Sequence, residues 1–125
     1  MATEILVNDG GAPARILPFT AGAALSGGEA VIMSADGEVD PAGAAATNVL
    51  GFMFVDASSG SNCSVITGKG VIVNAYVSGT AASGALLEVE ASGDLKAGTT
   101  ADAGVAIMID NDTGAAAALR KVLLI

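Results

Sequence analysis

The sequence predicts a small all-β protein, either a β-barrel or a β-sandwich, with an extended N-terminal arm. Short runs rich in Val, Ile and Leu recur along the chain, and turn residues separate them. In residues 70–78, Val71, Val73, Ala75 and Val77 alternate with a more polar set, which is typical of a strand with two unlike faces. The 125 residues suffice for a single domain with a modest core.

The composition predicts self-association. The chain is 52% hydrophobic but only 3% aromatic, and it contains 17 glycines. Much of the apolar fraction is alanine, whose burial contributes far less than the ~1.5–3 kcal/mol of a Leu or Phe side chain. We therefore expect neighbouring subunits to supply part of the stability.

The strands follow from the same alternation. In residues 87–91, Leu87, Val89 and Ala91 are predicted to face the core, while Glu88 and Glu90 face solvent. Turns are expected at residues 35–37 and 92–94, a loop at 56–62 and a hairpin turn at 68–70. Residues 41–47 are the only window that could form a turn of helix. The predicted strands are residues 30–34, 38–40, 49–55, 63–67, 70–78, 87–91, 105–109 and 117–125.

Residues 1–24 form the predicted arm, and residues 25–125 form the β domain. Pro13 and Pro18 lie in the arm, and proline fixes φ and removes a backbone donor, so an extended or irregular chain is expected there. Bulky apolar side chains on such a segment need a surface, on the same barrel or on a neighbouring subunit. An ordinary first strand over residues 14–20 is the alternative. The candidate contact residues are Ile5, Leu6, Val7, Ile16, Leu17 and Phe19, with Arg15 as the one cationic side chain.

A weak internal repeat links the two halves of the β domain. Ser26-Gly27 and residues 35–39 have counterparts in Ser83-Gly84 and residues 91–95, and the offset between counterparts stays nearly constant along the series. Two similar β modules within one barrel domain would explain this repeat. Because the matching residues are small and common, coincidence is the alternative.

Charge and hydropathy argue against several classes of partner. The net charge is −8, and the five basic residues are scattered along the sequence, whereas phosphate backbones and anionic membranes attract clustered Lys and Arg. The longest uncharged stretch, residues 70–87, is interrupted by glycines and polar residues and makes a poor membrane span. We therefore expect no nucleic-acid partner and no membrane partner.

The sequence offers no arrangement typical of catalysis or cofactor binding. It contains no histidine and a single cysteine, Cys63, so Ser–His and Cys–His pairs are impossible, and Cys63 is interpreted as a packing residue. Residues 110–114 resemble the start of a calcium loop, but Gly114 and Lys121 occupy positions that need oxygen ligands. The turn at 68–70 lacks the other residues of a phosphate loop. We expect no enzymatic activity, no cofactor, no metal and no small-molecule substrate.

The order of these segments resembles the small capsid decoration proteins of tailed bacteriophages, also called cement or head-stabilising proteins. The resemblance covers most of the chain from Ser26 onward. It rests on residues 26–32, 49–52, 56–60, 70–73 and 104–107, and on the terminal strand.

The resemblance implies a compact β-barrel or β-sandwich on the outer face of a virion capsid, synthesised in the host cytoplasm. It implies a homotrimer that bridges neighbouring major capsid protein subunits and stabilises the head, with an N-terminal arm reaching the lattice or the next subunit. Two other classes remain open on the residues alone. One is another virion module, such as a tail or head-fibre component, and the other is a small ligand-binding or carrier β domain.

Overall fold

The computed structural model describes residues 5–8, 15–111 and 117–125. In those ranges the chain is built of β-strands and contains no helix, so the predicted all-β class is confirmed, and residues 41–47 do not form the turn of helix considered for them. The strands are β1 (Leu6–Asn8), β2 (Arg15–Ala21), β3 (Ala30–Ala35), β4 (Glu38–Pro41), β5 (Gly51–Met53), β6 (Asn62–Thr67), β7 (Ile72–Val77), β8 (Leu86–Ala91), β9 (Asp94–Ala97), β10 (Ala106–Met108) and β11 (Ala118–Leu124).

Strands β2 to β6 form a closed barrel, here called the first unit. Their order around the barrel is β2-β4-β3-β5-β6. The β2–β4 pair is parallel, and the others are antiparallel. Closing the ring leaves no long unpaired edge, because each strand has a neighbour on both sides. Residues 15–21 of the predicted arm therefore belong to this barrel as β2, which is the arrangement that the alternative for residues 14–20 describes.

Strands β7 to β11, the second unit, repeat the same connections. Their order is β7-β11-β10-β8-β9, and a parallel pairing of Val77 with Leu95 joins β7 to β9. In chain order, β7 to β11 are the counterparts of β2 to β6, and each begins at nearly the same separation in sequence from its counterpart. The sequence repeat and the strand repeat therefore share one offset.

Local details of the two units also correspond. Met33 pairs with Val39 in the first hairpin, and Val89 pairs with Leu95 in the second. When hairpin β3–β4 is aligned with hairpin β8–β9, Met33 therefore corresponds to Val89. Both hairpins have an irregularity in register near the end of their first strand. Several backbone hydrogen bonds recur as well. Gly28 N donates to Met53 O as Gly84 N donates to Met108 O. Leu50 N donates to Val31 O as Val105 N donates to Leu87 O. Ala42 N donates to Ala30 O as Gly98 N donates to Leu86 O.

The larger hydrophobic cluster spans both units. Ala30, Ala42, Phe52 and Ile66 of the first unit pack with the buried residues of the second, and Ile5 also contributes. A smaller cluster fills the first barrel and consists of Ala21, Leu25, Val31, Val39, Met53, Cys63 and Val65. Because the larger cluster has members on both sides, separating the units would expose buried apolar surface. We therefore expect the two units to unfold together.

Side-chain burial agrees with the prediction in β7 and differs in β8. Val73, Ala75 and Val77 are fully buried, as the alternation predicts. The prediction that Glu88 faces solvent is wrong, because its side chain is only 1% exposed. Ala91, predicted to face the core, is exposed, since it lies beyond the irregularity in register that shifts the end of β8.

The segment 68–70 is also not the predicted hairpin turn. It joins β6 of the first unit to β7 of the second, and these two strands do not pair with each other. Gly68 and Gly70 have positive φ angles of 127° and 80°, which explains why the residues resemble a turn. The amide of Gly70 donates to the carbonyl of Leu124 at 2.8 Å. The segment therefore connects the two units and is fixed against the last strand.

Candidate interaction surfaces

The predicted arm residues divide between two places in the fold. Ile5 is buried in the cluster that spans both units, and Leu6 packs against that cluster. The amide of Asn74 donates to the carbonyl of Ile5 at 2.7 Å, and Leu6 pairs with Val73. Val7 lies in β1, but its side chain is outside the described residues. The described start of the chain thus packs on the second unit of its own subunit.

The second group lies on β2. Arg15, Ile16 and Leu17 are exposed, whereas Phe19 is partly buried against the smaller cluster. All of them pair with β6 through the backbone. Because successive side chains of a strand point to opposite faces, Ile16 lies on the other face of β2 from Arg15 and Leu17. All three are exposed at the start of the strand and are available to a partner.

The contact between the two units is made by the turn between β8 and β9. The amide of Ala30 donates to the carbonyl of Gly93 at 2.9 Å, and the amide of Gly93 donates to the carbonyl of Ala42, also at 2.9 Å. The amide of Ala45 donates to the carbonyl of Val89 at 2.8 Å. The turn of the second unit is therefore held between β3 and the end of β4 in the first unit.

Gly93 is required at this turn for two reasons. Its φ is +82°, which L side chains rarely adopt. In addition, a Cβ at this position would lie 2.8 Å from the Ala30 carbonyl oxygen and 2.9 Å from the Glu29 Cβ. The close backbone approach between the units leaves no room for a side chain.

Acidic side chains gather beside this contact. The Glu29 carboxylate accepts a hydrogen bond from the Ser26 amide at 2.8 Å, and the Asp56 carboxylate accepts one from the Gly27 amide at 2.8 Å. Burial raises the pKa of Glu29, and the nearby charges of Asp94 and Asp56 raise it further. Burial also raises the pKa of Asp94. Glu29 and Asp56 act mainly on backbone amides, as turn acids commonly do.

Glu88 is held by the loop that follows β9. Its carboxylate accepts hydrogen bonds from the Thr99 and Thr100 amides and from the Thr100 hydroxyl, the last at 3.0 Å. These bonds to the charged form, led by that of Thr99, lower the pKa of Glu88 below its usual value. Glu88 thus fixes the loop after β9. Its carboxylate is tolerated in a buried position because these hydrogen bonds satisfy it.

Replacing Glu88 with glutamine is expected to lower stability at neutral pH. Because the pKa of Glu88 is lower in the folded state, its contribution is present above the unfolded value of about 4.3 and is lost as the pH falls through the folded value. The urea midpoint of Glu88→Gln should therefore lie below that of the wild type at pH 7, and the gap should narrow on acidification. Asp102→Asn, at an exposed loop position, is the control. An equal gap at pH 7 and pH 3 would contradict this account.

A cavity of about 320 Å³ lies between the units. Apolar side chains and glycine backbone line it together with Thr47 and Lys69. In the described part of the chain, no group of three or more His, Cys, Asp or Glu side chains could hold a metal ion. Cys63 is buried in the first barrel, and burial raises the pKa of its thiol. Asp112 to Gly114 of the possible calcium loop lie outside the described residues, while the Asp110 carboxylate accepts a hydrogen bond from the Lys121 amide at 2.9 Å.

Large apolar side chains remain exposed on both units. They are Ile16, Leu17, Met33, Val55, Leu86, Ile109 and Ile125. The sequence analysis identified only the first two as contact residues. In the strand alignment, Met33 and Leu86 correspond to Val89 and Ala30, which are both fully buried, so the repeat by itself gave no signal that they are exposed. Among the described residues, no helix is both long and apolar enough to span a membrane.

The fold resembles that of a phage protein. The crystal structure of the head fiber gp8.5 N base in bacteriophage phi29 superposes with a TM-score of 0.72, covering 90% of this chain and 95% of that one at 10% sequence identity. No family model matches the sequence. No curated protein matches it either. At this level of identity, the comparison establishes a common architecture over nearly the whole length of both chains.

Proposed function

We propose that this chain is a structural protein of a phage virion that binds the outer surface of the head. The observation that carries the proposal is the fold shared with a head fiber base over 90% of the chain. The exposed Arg15, Ile16 and Leu17 at the start of β2 support it, because they are available to a protein partner. In this proposal the protein works by binding alone, with no enzymatic activity.

The finer form of the proposal is that the protein stabilises the capsid lattice as a decoration protein. A homotrimer would bridge neighbouring major capsid protein subunits through several copies of one surface. Because the contacts in such an assembly act together, each can be weak while the whole binds firmly. The net charge of −8 keeps the unassembled protein soluble.

A second candidate is the base of a head fibre. The fold comparison favours it directly, since the similar structure is itself described as a head fiber base. The two candidates differ in what they predict for the virion. A decoration protein should occupy many equivalent lattice positions, whereas a fibre base should occupy fewer sites and carry further chain or a partner. Electron microscopy of virions bearing the labelled protein would separate them.

We expect the purified protein to co-sediment with heads assembled without it. Replacing both Ile16 and Leu17 with glutamate should weaken this binding at least tenfold, because it places charges on the proposed apolar contact. Both side chains are exposed, so the barrel should remain folded. Val55→Glu is the matched control, since Val55 is an exposed apolar residue outside the β2 surface. Failure of the wild type to bind heads would exclude the proposal.

A further inference from the structure

The contact between the two units has two sides, and each side has a counterpart elsewhere in the chain. The donor hairpin is β8–β9, whose Gly93 inserts into the first unit. The acceptor edge is formed by Gly28, Ala30 and Ala42 of the first unit. Ala30 and Ala42 are hydrogen-bonded to Gly93. The carbonyl of Gly28 accepts from the amide of Tyr76 in β7 at 3.1 Å. By the strand alignment, the first unit also has a donor hairpin, β3–β4, and the second unit also has an acceptor edge.

The donor hairpin of the first unit contacts no acceptor edge within the described part of the chain, although the carbonyl of its Gly37 accepts from the amide of Thr20 in β2 at 2.8 Å. Its turn, Ala35-Asp36-Gly37, matches Ala91-Ser92-Gly93 in length, and Gly37 has a similar φ of +70°. No atom lies within 4 Å of a Cβ at Gly37, in contrast to Gly93. Met33 is 42% exposed, whereas its counterpart Val89 is fully buried. The same shape is therefore buried in the second unit and presented to solvent in the first.

The acceptor edge of the second unit is open in the same way. Leu86 is 48% exposed, whereas its counterpart Ala30 is fully buried. Gly84 and Gly98 are exposed, while their counterparts Gly28 and Ala42 are buried. The backbone of this edge follows the pattern of the first, since Gly98 N donates to Leu86 O as Ala42 N donates to Ala30 O. One copy thus presents a solvent-exposed donor turn and a solvent-exposed acceptor edge at once.

We propose that the contact between the two units within the chain is repeated between chains. The β3–β4 hairpin of one copy docks on the acceptor edge of the second unit of the next copy, and Met33 and Leu86 become covered there. The occupant is a second copy because the chain already contains the complementary surface in bound form. This is a heterologous, head-to-tail contact, which produces a closed ring or an open chain of subunits. This proposal rests on the proposed function only in that both expect a homo-oligomer. Its test needs no capsid.

Two single variants and their mixture test the proposal. Sedimentation velocity of the wild type at micromolar concentration should show a mass of several copies of the 12.0 kDa chain. Met33→Glu removes the donor side and Leu86→Glu removes the acceptor side, so each alone should sediment mainly as monomer. Mixed together, they retain one intact donor and one intact acceptor. The mixture should therefore form a 1:1 dimer that neither variant forms alone.

Matched controls keep the result decisive. Val55→Glu changes a residue that is 51% exposed and lies in neither hairpin, so it should retain the wild-type mass. Circular dichroism and urea unfolding should show that all variants are folded. If glutamate prevents folding, Met33→Gln and Leu86→Gln are used in place of Met33→Glu and Leu86→Glu. A monomeric wild type, variants with wild-type mass, or a mixture that stays monomeric would each overturn the proposal. Head binding is measured separately, so a loss there with assembly intact would bear only on the proposed function.

Discussion

Replacing Gly93 with alanine is expected to destabilise the protein by about 2–5 kcal/mol, the sum of a conformational cost and a steric cost. A left-handed backbone conformation costs a non-glycine residue about 1–2 kcal/mol. Forcing a methyl group into a filled space adds about 1–3 kcal/mol, since the new Cβ would meet the Ala30 carbonyl at 2.8 Å. That carbonyl is backbone and cannot move aside as a side chain would, so the turn itself must shift and its hydrogen bonds to the first unit must weaken. Urea unfolding at one fixed protein concentration measures the loss.

Gly60→Ala separates the two causes. Gly60 has nearly the same φ, +83° against +82°, but no atom of the described residues lies within 4 Å of its Cβ position. Its substitution should therefore cost only the conformational part, about 1–2 kcal/mol. If both variants lost the same stability, the close approach between the units would contribute nothing, and the account of Gly93 would be wrong.

Replacing Phe52 with alanine should cost about 3–5 kcal/mol, the usual range for removing a buried aromatic ring. Phe52 is the largest of the fully buried side chains and packs in the cluster that spans both units. The cavity would therefore weaken the first barrel and the contact with the second unit together. We expect a lower urea midpoint with a single cooperative transition, monitored by circular dichroism.

Phe54→Ala is the matched control because it deletes the same ring at a nearby position in the chain. Phe54 is only partly buried, so its substitution should cost clearly less than that of Phe52. If Phe52→Ala instead split unfolding into two separate transitions, the units would be independent folding domains, and the description of a shared core would be contradicted.

Alternation of apolar residues predicted most of the strands, because these strands have one face in a core. In β7 the expected inward set is buried residue by residue. β9 was not predicted, since its run, Asp94–Ala97, is only four residues long and includes two charges. The prolines near the N-terminus left an irregular arm and a first strand as alternatives for residues 14–20, and Pro18 proves to be accepted within the seven-residue strand β2.

The burial of Glu88 and the contact between units could not be read from the sequence. A charge in a strand normally marks the solvent face, and only the later loop with Thr99 and Thr100 supplies the donors that reverse this rule. The contact depends on a turn glycine approaching backbone atoms that lie far earlier in the chain. A glycine in a turn has the same local pattern whether it is buried, as Gly93 is, or exposed, as Gly37 is.

The position of β1 has a consequence for the order of folding. Leu6 pairs with Val73, which lies beyond the whole first barrel in sequence, so β1 can dock only once β7 has formed. Such long-range pairing carries a large loop-closure cost and is slow. Because β1 is short and has a single partner strand, we expect it to dock late and to detach early. Hydrogen exchange at the Asn74 amide, which donates to Ile5, would report that opening well below the threshold for global unfolding.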